Sequence, residues 1–243
     1  MINFLGLCVE NLIKTLKYIF GKNTKFSSVI SQAAMISYDS LSISLTIVFI
    51  ASAVIALQVS KQFLMSGAEG YVGGFIAVAL IREIAPGFAA LAIGARAGTA
   101  ICAEIANMQV TEQVDAIKTL HVDPVGYYFA SRLIASAITV PMVVILAEFL
   151  GILGGMLVAY FSIGLHPNRF MNTVWLMINT RDIYISLFKA VVFGILITLV
   201  CATQGYSTKG GAKDVGISTT QSAIKSTVYL LVADFILNLL FYL

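Results

Sequence analysis

The sequence contains little charge. Only 11% of its 243 residues are Asp, Glu, Lys or Arg, whereas 59% are hydrophobic, and the mean hydropathy is +0.93. Because a soluble globular domain carries about 25% charged residues, this composition indicates an integral membrane protein. The net charge of +3 is small and the chain has no basic run, so we expect no nucleic-acid partner.

Residues typical of catalytic and metal sites are also scarce. The two histidines stand apart and the three cysteines form no CxxC pair, so we expect no metal site. The sequence has no G-x-S-x-G motif and no G-x-x-x-x-G-K-[ST] phosphate loop; Gly21-Lys22-Asn23 is only a fragment of the latter. We therefore predict no catalytic residues and no directly bound cofactor, and any ATP would bind to a partner.

Long apolar segments predict an all-α membrane protein. A crossing helix needs about 20 mostly apolar residues, and five segments qualify: 41–60, 71–108, 133–165, 183–204 and 226–243. The second is too long for one straight crossing, so it is expected to tilt, kink or project, with Pro86 and the glycines as break points. We divide the chain into an N-terminal region, 1–40, and a transmembrane domain, 41–243.

The N-terminal region begins with an amphipathic pattern. Leu5, Val9, Leu12, Leu16 and Ile19 recur at helical spacing. The pattern is typical of a helix lying in the membrane interface. A helix with an ordinary solvent-facing side is the alternative.

Lysine and arginine predict the orientation. With a cytoplasmic N-terminus, the positive-inside rule is satisfied, because most cations then fall in inner segments. The inner cations are Lys14, Lys17, Lys22, Lys25, Lys118, Arg132, Lys209, Lys213 and Lys225; the outer ones are Lys61, Arg169 and Arg181, with Lys189 just inside the fourth span.

The second span carries four ionisable residues at membrane depth: Arg82, Glu83, Arg96 and Glu104. Charges there are costly and usually face a protein interior or a cavity. One interpretation is that they are buried, paired and structural. The other is that they shape a cavity or couple its opening to the cytoplasmic side. In a continuous helix, Arg82 and Arg96 would share a face.

Small residues repeat at every fourth position of the same span, at Ala90, Gly94, Gly98 and Cys102. This spacing lets helix backbones approach closely within a membrane. We therefore predict a helix-packing face there, either within one chain or between two copies.

A short polar helix follows the second span. Thr111 is expected to cap it, and Val110, Val114, Ile117 and Leu120 would form its apolar face. The polar remainder includes Glu112, Gln113, Asp115 and Lys118. This is either an amphipathic connector on the membrane surface or a cytoplasmic docking helix for a soluble motor.

Two acids stand alone in other spans. Glu148 and Asp234 would be either hydrogen-bonded within the bundle or proton-relay residues of a secondary transporter. The absence of an internal repeat argues against many secondary transporters. A third possibility is a scaffold that anchors envelope proteins without transport.

Five motifs resemble the MlaE permeases. They are G-x-x-x-x-V-A-L-I-R-E-I-A-P (73–86), G-A-R-A-G-T-A-I-C-A-E-I (94–105), M-Q-V-T-E-Q-V-D-A-I (108–117), D-P-x-x-Y (123–127) and G-G-A-K-D-V-G-x-x-T-T-x-x-A (210–223). The likeness extends over the chain from about residue 40. The sequence departs from the family pattern at Gly87, Phe88 and Ala97, and these differences are expected to affect side-chain packing.

The resemblance implies an ABC-transporter permease of the bacterial inner membrane that moves phospholipid between that membrane and the outer envelope. It also implies a homodimer with two copies of a separate ATPase, and a lipid-carrying MCE-domain protein on the outer side. The polar helix at 112–120 looks like the coupling helix. The lipid would lie between the two protomers in a largely apolar, outward-facing cavity.

Overall fold

The computed structural model describes residues 2–21 and 24–242, and within them the chain is helical with no strand. This confirms the predicted all-α fold; Lys22 lies outside the described residues. The helices are α1 (Ile2–Phe20), α2 (Phe26–Met65), α3 (Glu69–Val110), α4 (Gln113–Thr119), α5 (Pro124–Ile163), α6 (Pro167–Met177), α7 (Thr180–Tyr206) and α8 (Ala212–Tyr242).

Five helices, α2, α3, α5, α7 and α8, are long and apolar enough to cross a membrane, as predicted. They extend beyond the apolar segments seen in the sequence: α2 and α5 have 40 residues each and α3 has 42. At a rise of 1.5 Å per residue these three measure about 60 Å, against a hydrocarbon core of about 30 Å. They must therefore tilt or project beyond the membrane.

Helix α3 continues through Pro86 instead of breaking there. After a 3-10 turn at Glu69–Tyr71, its α-helical segments are joined by two π-helical turns, Leu80–Ile84 and Gly94–Gly98. Pro86 lies in the first turn of the α-helical segment that follows the first π turn, where its missing N–H is tolerated. Where a break was expected, the helix therefore changes locally from α-helical to π-helical geometry and continues.

Helices α2 and α5 pack closely through small residues. The hydroxyl of Ser52 donates to the carbonyl of Gly151 at 2.7 Å, and a Cβ on Gly154 would lie 2.9 Å from the ring of Phe49. Small side chains allow this approach within a membrane. No pattern noted in the sequence predicts this packing face.

The crossing helices define two ends of the bundle. The α4 end holds α1, α4 and the connection from α7 to α8; the α6 end holds α6 and the connection from α2 to α3. Helix α6 was not predicted. Its N-terminus is capped by His166, whose Nδ1 accepts from the N–H of Asn168, and Phe170 and Val174 are buried beneath it.

Helix α1 contacts the rest of the protein through a mixed face, on which Cys8 is buried and Leu12 is partly buried. Asn11 and Thr15 are buried, and the Asn11 amide donates to the Thr203 hydroxyl at 3.1 Å. Leu5, Val9 and Leu16 are exposed. An outward apolar stripe on a helix lying against a membrane protein fits the interfacial interpretation better than the solvent-facing one.

Candidate functional site

Lys189 lies at the centre of a charged cluster toward the α6 end. No part of its side chain is exposed, and its ammonium lies 3.1 Å from Glu83 Oε1 and 3.0 Å from Asp234 Oδ1. It also donates to Asn238 Oδ1, and the Asn238 amide donates to Glu83 Oε2 at 2.8 Å. A buried cation is tolerated only when paired in this way. The cluster ties α3, α7 and α8 together.

Arg82 extends this cluster toward the surface. Its Nε and Nη2 donate to the two carboxylate oxygens of Asp182 at 2.9 and 3.2 Å, and its guanidinium carbon lies 4.7 Å from the centre of the Tyr242 ring. Its backbone carbonyl accepts from the Lys189 ammonium at 2.9 Å. Pro86, four residues later, has no N–H for that carbonyl, so Lys189 supplies a donor.

We call Arg82, Glu83, Asp182, Lys189, Asp234 and Asn238 the α6-end cluster. In this cluster the Lys189 side chain is fully buried, whereas the side chains of Arg82 and Glu83 remain partly exposed. Sequence reasoning missed Asp182, Lys189 and Asn238 as members. A lysine inside a span needs an acidic partner, so Lys189 and Asp234 could have been paired by charge alone.

Glu104 and Arg132 form a second ion pair, toward the α4 end. Arg132 Nη2 lies 2.6 Å from Glu104 Oε2, and its Nη1 donates to the Tyr128 carbonyl at 2.7 Å. Arg132 is only 3% exposed, whereas Glu104 is partly open. The pair joins α3 to α5.

Of the four predicted intramembrane charges, three are in ion pairs and one is not. Arg82, Glu83 and Glu104 are in ion pairs, as the structural interpretation expects. Arg96 is exposed and, among the described residues, makes no ion pair. The ion pair that Arg82 forms with Asp182 does not involve Arg96.

The start of α4 differs from the prediction. The Thr111 hydroxyl donates to the carbonyl of Asn107 at 2.9 Å, so Thr111 finishes α3 and does not cap α4. The residue before α4 is Glu112, which has a left-handed backbone with φ of 61° and makes no side-chain cap. The predicted cap is wrong because the hydroxyl satisfies a carbonyl of its own helix.

The polar side of α4 is presented outward. Val114 is fully buried and anchors the helix, but Leu120 is 72% exposed and does not complete the predicted apolar face. Asp115 and Lys118 form an exposed ion pair of 2.7 Å, and this hydrogen bond raises the pKa of the Lys118 ammonium. Gln113 begins the helix and is also exposed. An exposed pair adds little stability, so these polar groups are available to a partner.

The small residues of α3 face α7 and α8 of the same chain. A Cβ on Gly98 would lie 2.9 Å from Cys201 Sγ and 3.0 Å from Ile197 Cγ2. A Cβ on Gly94 would lie 3.6 Å from Ile197. Ala90 is buried in the same region, beside α7.

The two single acids both have partners. Glu148 is buried and accepts a hydrogen bond from the Ser186 hydroxyl, and Asp234 pairs with Lys189. Asp234 thus belongs to the charged α6-end cluster, whereas the contact described for Glu148 is with a serine. In the described part of the chain, no group of three or more His, Cys, Asp or Glu side chains could hold a metal ion.

A family model and several known proteins that resemble this chain all indicate the same family. The family model for the permease MlaE matches residues 29–240. A protein of Rickettsia prowazekii named "Probable ABC transporter permease protein" is 33% identical over 239 residues, covering 98% of this chain and 90% of its own length. A protein of Synechocystis with the same description is 34% identical over 215 residues, covering 88% and 82%.

A plant protein is also similar. The chloroplastic protein Trigalactosyldiacylglycerol 1 of Arabidopsis thaliana is 32% identical over 186 residues, which is 76% of this chain and 53% of the plant protein. Its name is that of a glycolipid. Since the family model spans most of the sequence and the bacterial relatives match nearly end to end, this multi-pass membrane protein belongs to the MlaE permease family of ABC transporters.

Proposed function

We propose that this chain is the membrane subunit of an ATP-driven transporter that moves phospholipid between the inner membrane and the outer envelope. Membership of an ABC permease family implies an ATPase partner. The chain itself contains no phosphate loop, so ATP would bind to that separate subunit. The glycolipid name of the plant relative supports a lipid as the transported species.

The observation that carries the proposal is a pair of adjoining cavities at the α6 end. One, of about 710 Å³, is lined mainly by apolar side chains, including Tyr184, Ile185, Phe188 and Phe241. The other, of about 470 Å³, is polar and includes Arg82, Asp182 and Tyr242. Both also include Thr180 and Arg181. A polar site beside an apolar one suits a molecule with a charged head and apolar tails.

The α4 end is proposed to receive the ATPase. Glu112, Gln113, Asp115 and Lys118 form the polar surface of α4, with Val114 buried beneath it. In this arrangement the N-terminus and the α4 end are cytoplasmic, and the α6 end meets the MCE-domain partner outside. Positive charge supports the orientation, because Lys14, Lys17, Lys25, Lys209 and Lys213 lie at the α4 end.

A second copy of the chain is proposed to complete the transport cavity. Helix α8 turns many large apolar side chains outward, among them Leu231, Phe235, Ile236 and Leu240. Such a face is suited to a partner helix or to lipid. Between two protomers, it would supply the apolar wall along which acyl chains move.

The need for ATP has a simple physical basis. Burying a lipid tail gains about 0.8 kcal/mol per CH₂ relative to water, but almost nothing relative to the bilayer that the lipid leaves. Extraction therefore requires work, which a coupled ATPase can supply.

Reconstitution tests the proposal. Liposomes containing the chain and its ATPase should transfer labelled phospholipid to an acceptor only with ATP, and transfer should be unaffected when the proton gradient is collapsed. In the Glu148→Gln and Asp234→Asn variants, phospholipid transfer should likewise be unaffected when the proton gradient is collapsed. Transfer that continues without ATP and stops with the gradient would instead favour a proton-coupled secondary transporter.

Cysteine labelling tests the orientation. In a background without native cysteines, Asn172→Cys should react with an impermeant reagent from outside intact spheroplasts, whereas Lys213→Cys should react only after permeabilisation. Both residues are exposed, at the α6 end and the α4 end respectively. The reverse pattern would overturn the proposed sidedness and the docking role of α4.

A further inference from the structure

A separate polar cavity lies at the α4 end, on the opposite side of the bundle from the proposed transport site. It has a volume of about 330 Å³ and is enclosed by the end of α1, the first turns of α2, the end of α3 and the start of α5. This volume is at the lower end of the range for ligand pockets. Its lining includes Tyr18, Lys25, Ser28, Gln32 and Arg132.

Arg132 lines this cavity and keeps one buried donor without a partner. Its two terminal nitrogens are occupied by Glu104 and by the Tyr128 carbonyl, but its Nε is buried and has no hydrogen-bond partner among the described residues. A buried donor without a partner costs about 1–3 kcal/mol, which favours a ligand oxygen at this place. The Glu104 carboxylate is already neutralised by the same arginine.

Lys25 and the start of α2 add positive potential. Lys25 is exposed, lines the cavity and makes no ion pair within the described residues. It immediately precedes α2, a helix of 40 residues whose positive dipole end is favourable for anions. Ser28 and Gln32 follow on the same face of α2. The Gln32 Oε1 is also buried without a partner, so the cavity offers an acceptor beside its donors.

The surroundings of the cavity place it at the level of lipid headgroups. Tyr18, Tyr127 and Tyr128 line it, and tyrosine is enriched at membrane–water interfaces. Phe20 and Phe26, on either side of the turn between α1 and α2, are 82% and 77% exposed. Together with the outward apolar stripe of α1, they provide a surface for acyl chains beside a polar opening.

We infer that this cavity binds the phosphate of a phospholipid in the membrane leaflet at the α4 end, with Lys25 and the Nε of Arg132 as its donors. The acyl chains lie along α1 and the first turns of α2. A headgroup that carries a hydroxyl or an amine places it against Gln32. The bound lipid fixes α1 against the start of α5, where Tyr18 already packs so closely on Gly126 that a Cβ there would lie 2.5 Å from its ring.

A local labelling experiment tests this inference. The full chain without its native cysteines is purified in mild detergent in two forms. One form has Ser28→Cys in the cavity lining, and the other has Ser27→Cys as the matched control. Both serines are exposed, but only Ser28 lines the cavity. Added dihexanoyl phosphatidylglycerol should slow the reaction of Ser28→Cys with a water-soluble maleimide and leave Ser27→Cys unchanged.

Two soluble compounds separate the possible ligands. Glycerophosphate has the phosphate without tails, and dihexanoylglycerol has the tails without phosphate; neither should protect at the same concentration. Equal protection by glycerophosphate would mean that the cavity takes free phosphate and not a lipid. Equal protection by dihexanoylglycerol, or none by the phospholipid, would equally overturn the inference.

Charge variants identify the donors. Lys25→Glu should raise the concentration needed for half protection about tenfold, as loss of a charged hydrogen bond predicts, whereas Lys17→Glu on α1 should not. Arg132→Lys keeps a cation beside Glu104 but removes the Nε donor, and should weaken protection as well. Unchanged protection in both cavity variants would refute the assignment. Because the cavity is at the α4 end, none of these results depends on what the α6 end transports.

Discussion

At the α6 end, the Lys189 ammonium has no exposed surface and contacts four oxygen atoms, whereas at the α4 end the Asp115–Lys118 pair is open to its surroundings. The first arrangement joins three helices, and removing Lys189 would leave two carboxylates without their cation inside the bundle. The second holds nothing together beyond one turn of α4. Charge at the α6 end therefore maintains the fold around a cavity, and charge on α4 is available for recognition.

The largest effect should follow from Lys189→Met, which leaves Glu83 and Asp234 without their shared cation. We expect a loss of about 3–5 kcal/mol in the free energy of unfolding, measured by denaturation in detergent. Lys61→Met, at an exposed position of α2, is the matched control and should change little. A loss below about 1 kcal/mol, the range of exposed pairs, would remove the distinction between the two ends.

A packing change in the middle of α3 should come next. Gly98→Leu forces a side chain against Cys201 and Ile197 and should cost about 3 kcal/mol. Gly87→Leu, in the same helix, meets open space because nothing lies within 4 Å of its Cβ position. Similar thermal stability and expression of the two variants would show that α3 does not rely on this contact.

Glu104→Gln should have a smaller effect than the loss of Lys189. It leaves Arg132 buried without its carboxylate, but Glu104 is partly open, so water can approach the pair. We expect a loss of about 2 kcal/mol, with Glu69→Gln, an exposed residue, as the control. If this loss equalled that of Lys189→Met in the same assay, depth of burial would not explain the difference between the pairs.

The smallest effect on stability is expected for α4. Replacing Glu112 and Asp115 by lysine should change the free energy of unfolding by less than about 0.5 kcal/mol, as is usual for exposed sites. The same double variant should lose co-purification of the ATPase and ATP-dependent transport. Retained binding and transport would show that α4 is only a connector.

The sequence predicted the crossing helices well, because about 20 apolar residues can hardly be buried otherwise in a chain with so few charges. Their ends were less accurate. Helices α2 and α5 begin many residues before their apolar segments, since polar residues sustain a helix when other helices pack against it. Helix α6 was missed for a related reason: only Phe170 and Val174 are buried beneath it, too few for a clear periodic pattern.

The charged sites show the limit of sequence reasoning more sharply. The sequence placed Arg82, Glu83 and Glu104 in one span but gave no partners, because these come from α5, α7 and α8, up to 155 residues away in the case of Glu83 and Asn238. Thr111 was expected to cap α4, but its hydroxyl binds within α3. A local pattern cannot decide between two backbone partners of equal reach, an N–H group of α4 that the hydroxyl would accept from and a carbonyl of α3 that it donates to.

The amino-acid sequence by itself determined the membrane class, the five crossing helices and the amphipathic α1, because hydrophobicity and its period act locally along the chain. Only the tertiary structure decided that Lys189 pairs with Glu83 and Asp234, that Gly98 packs within one chain, and that Arg132 lines a cavity and keeps one buried donor without a partner. These facts depend on which distant side chains meet in three dimensions, and pairing across helices leaves no local signature.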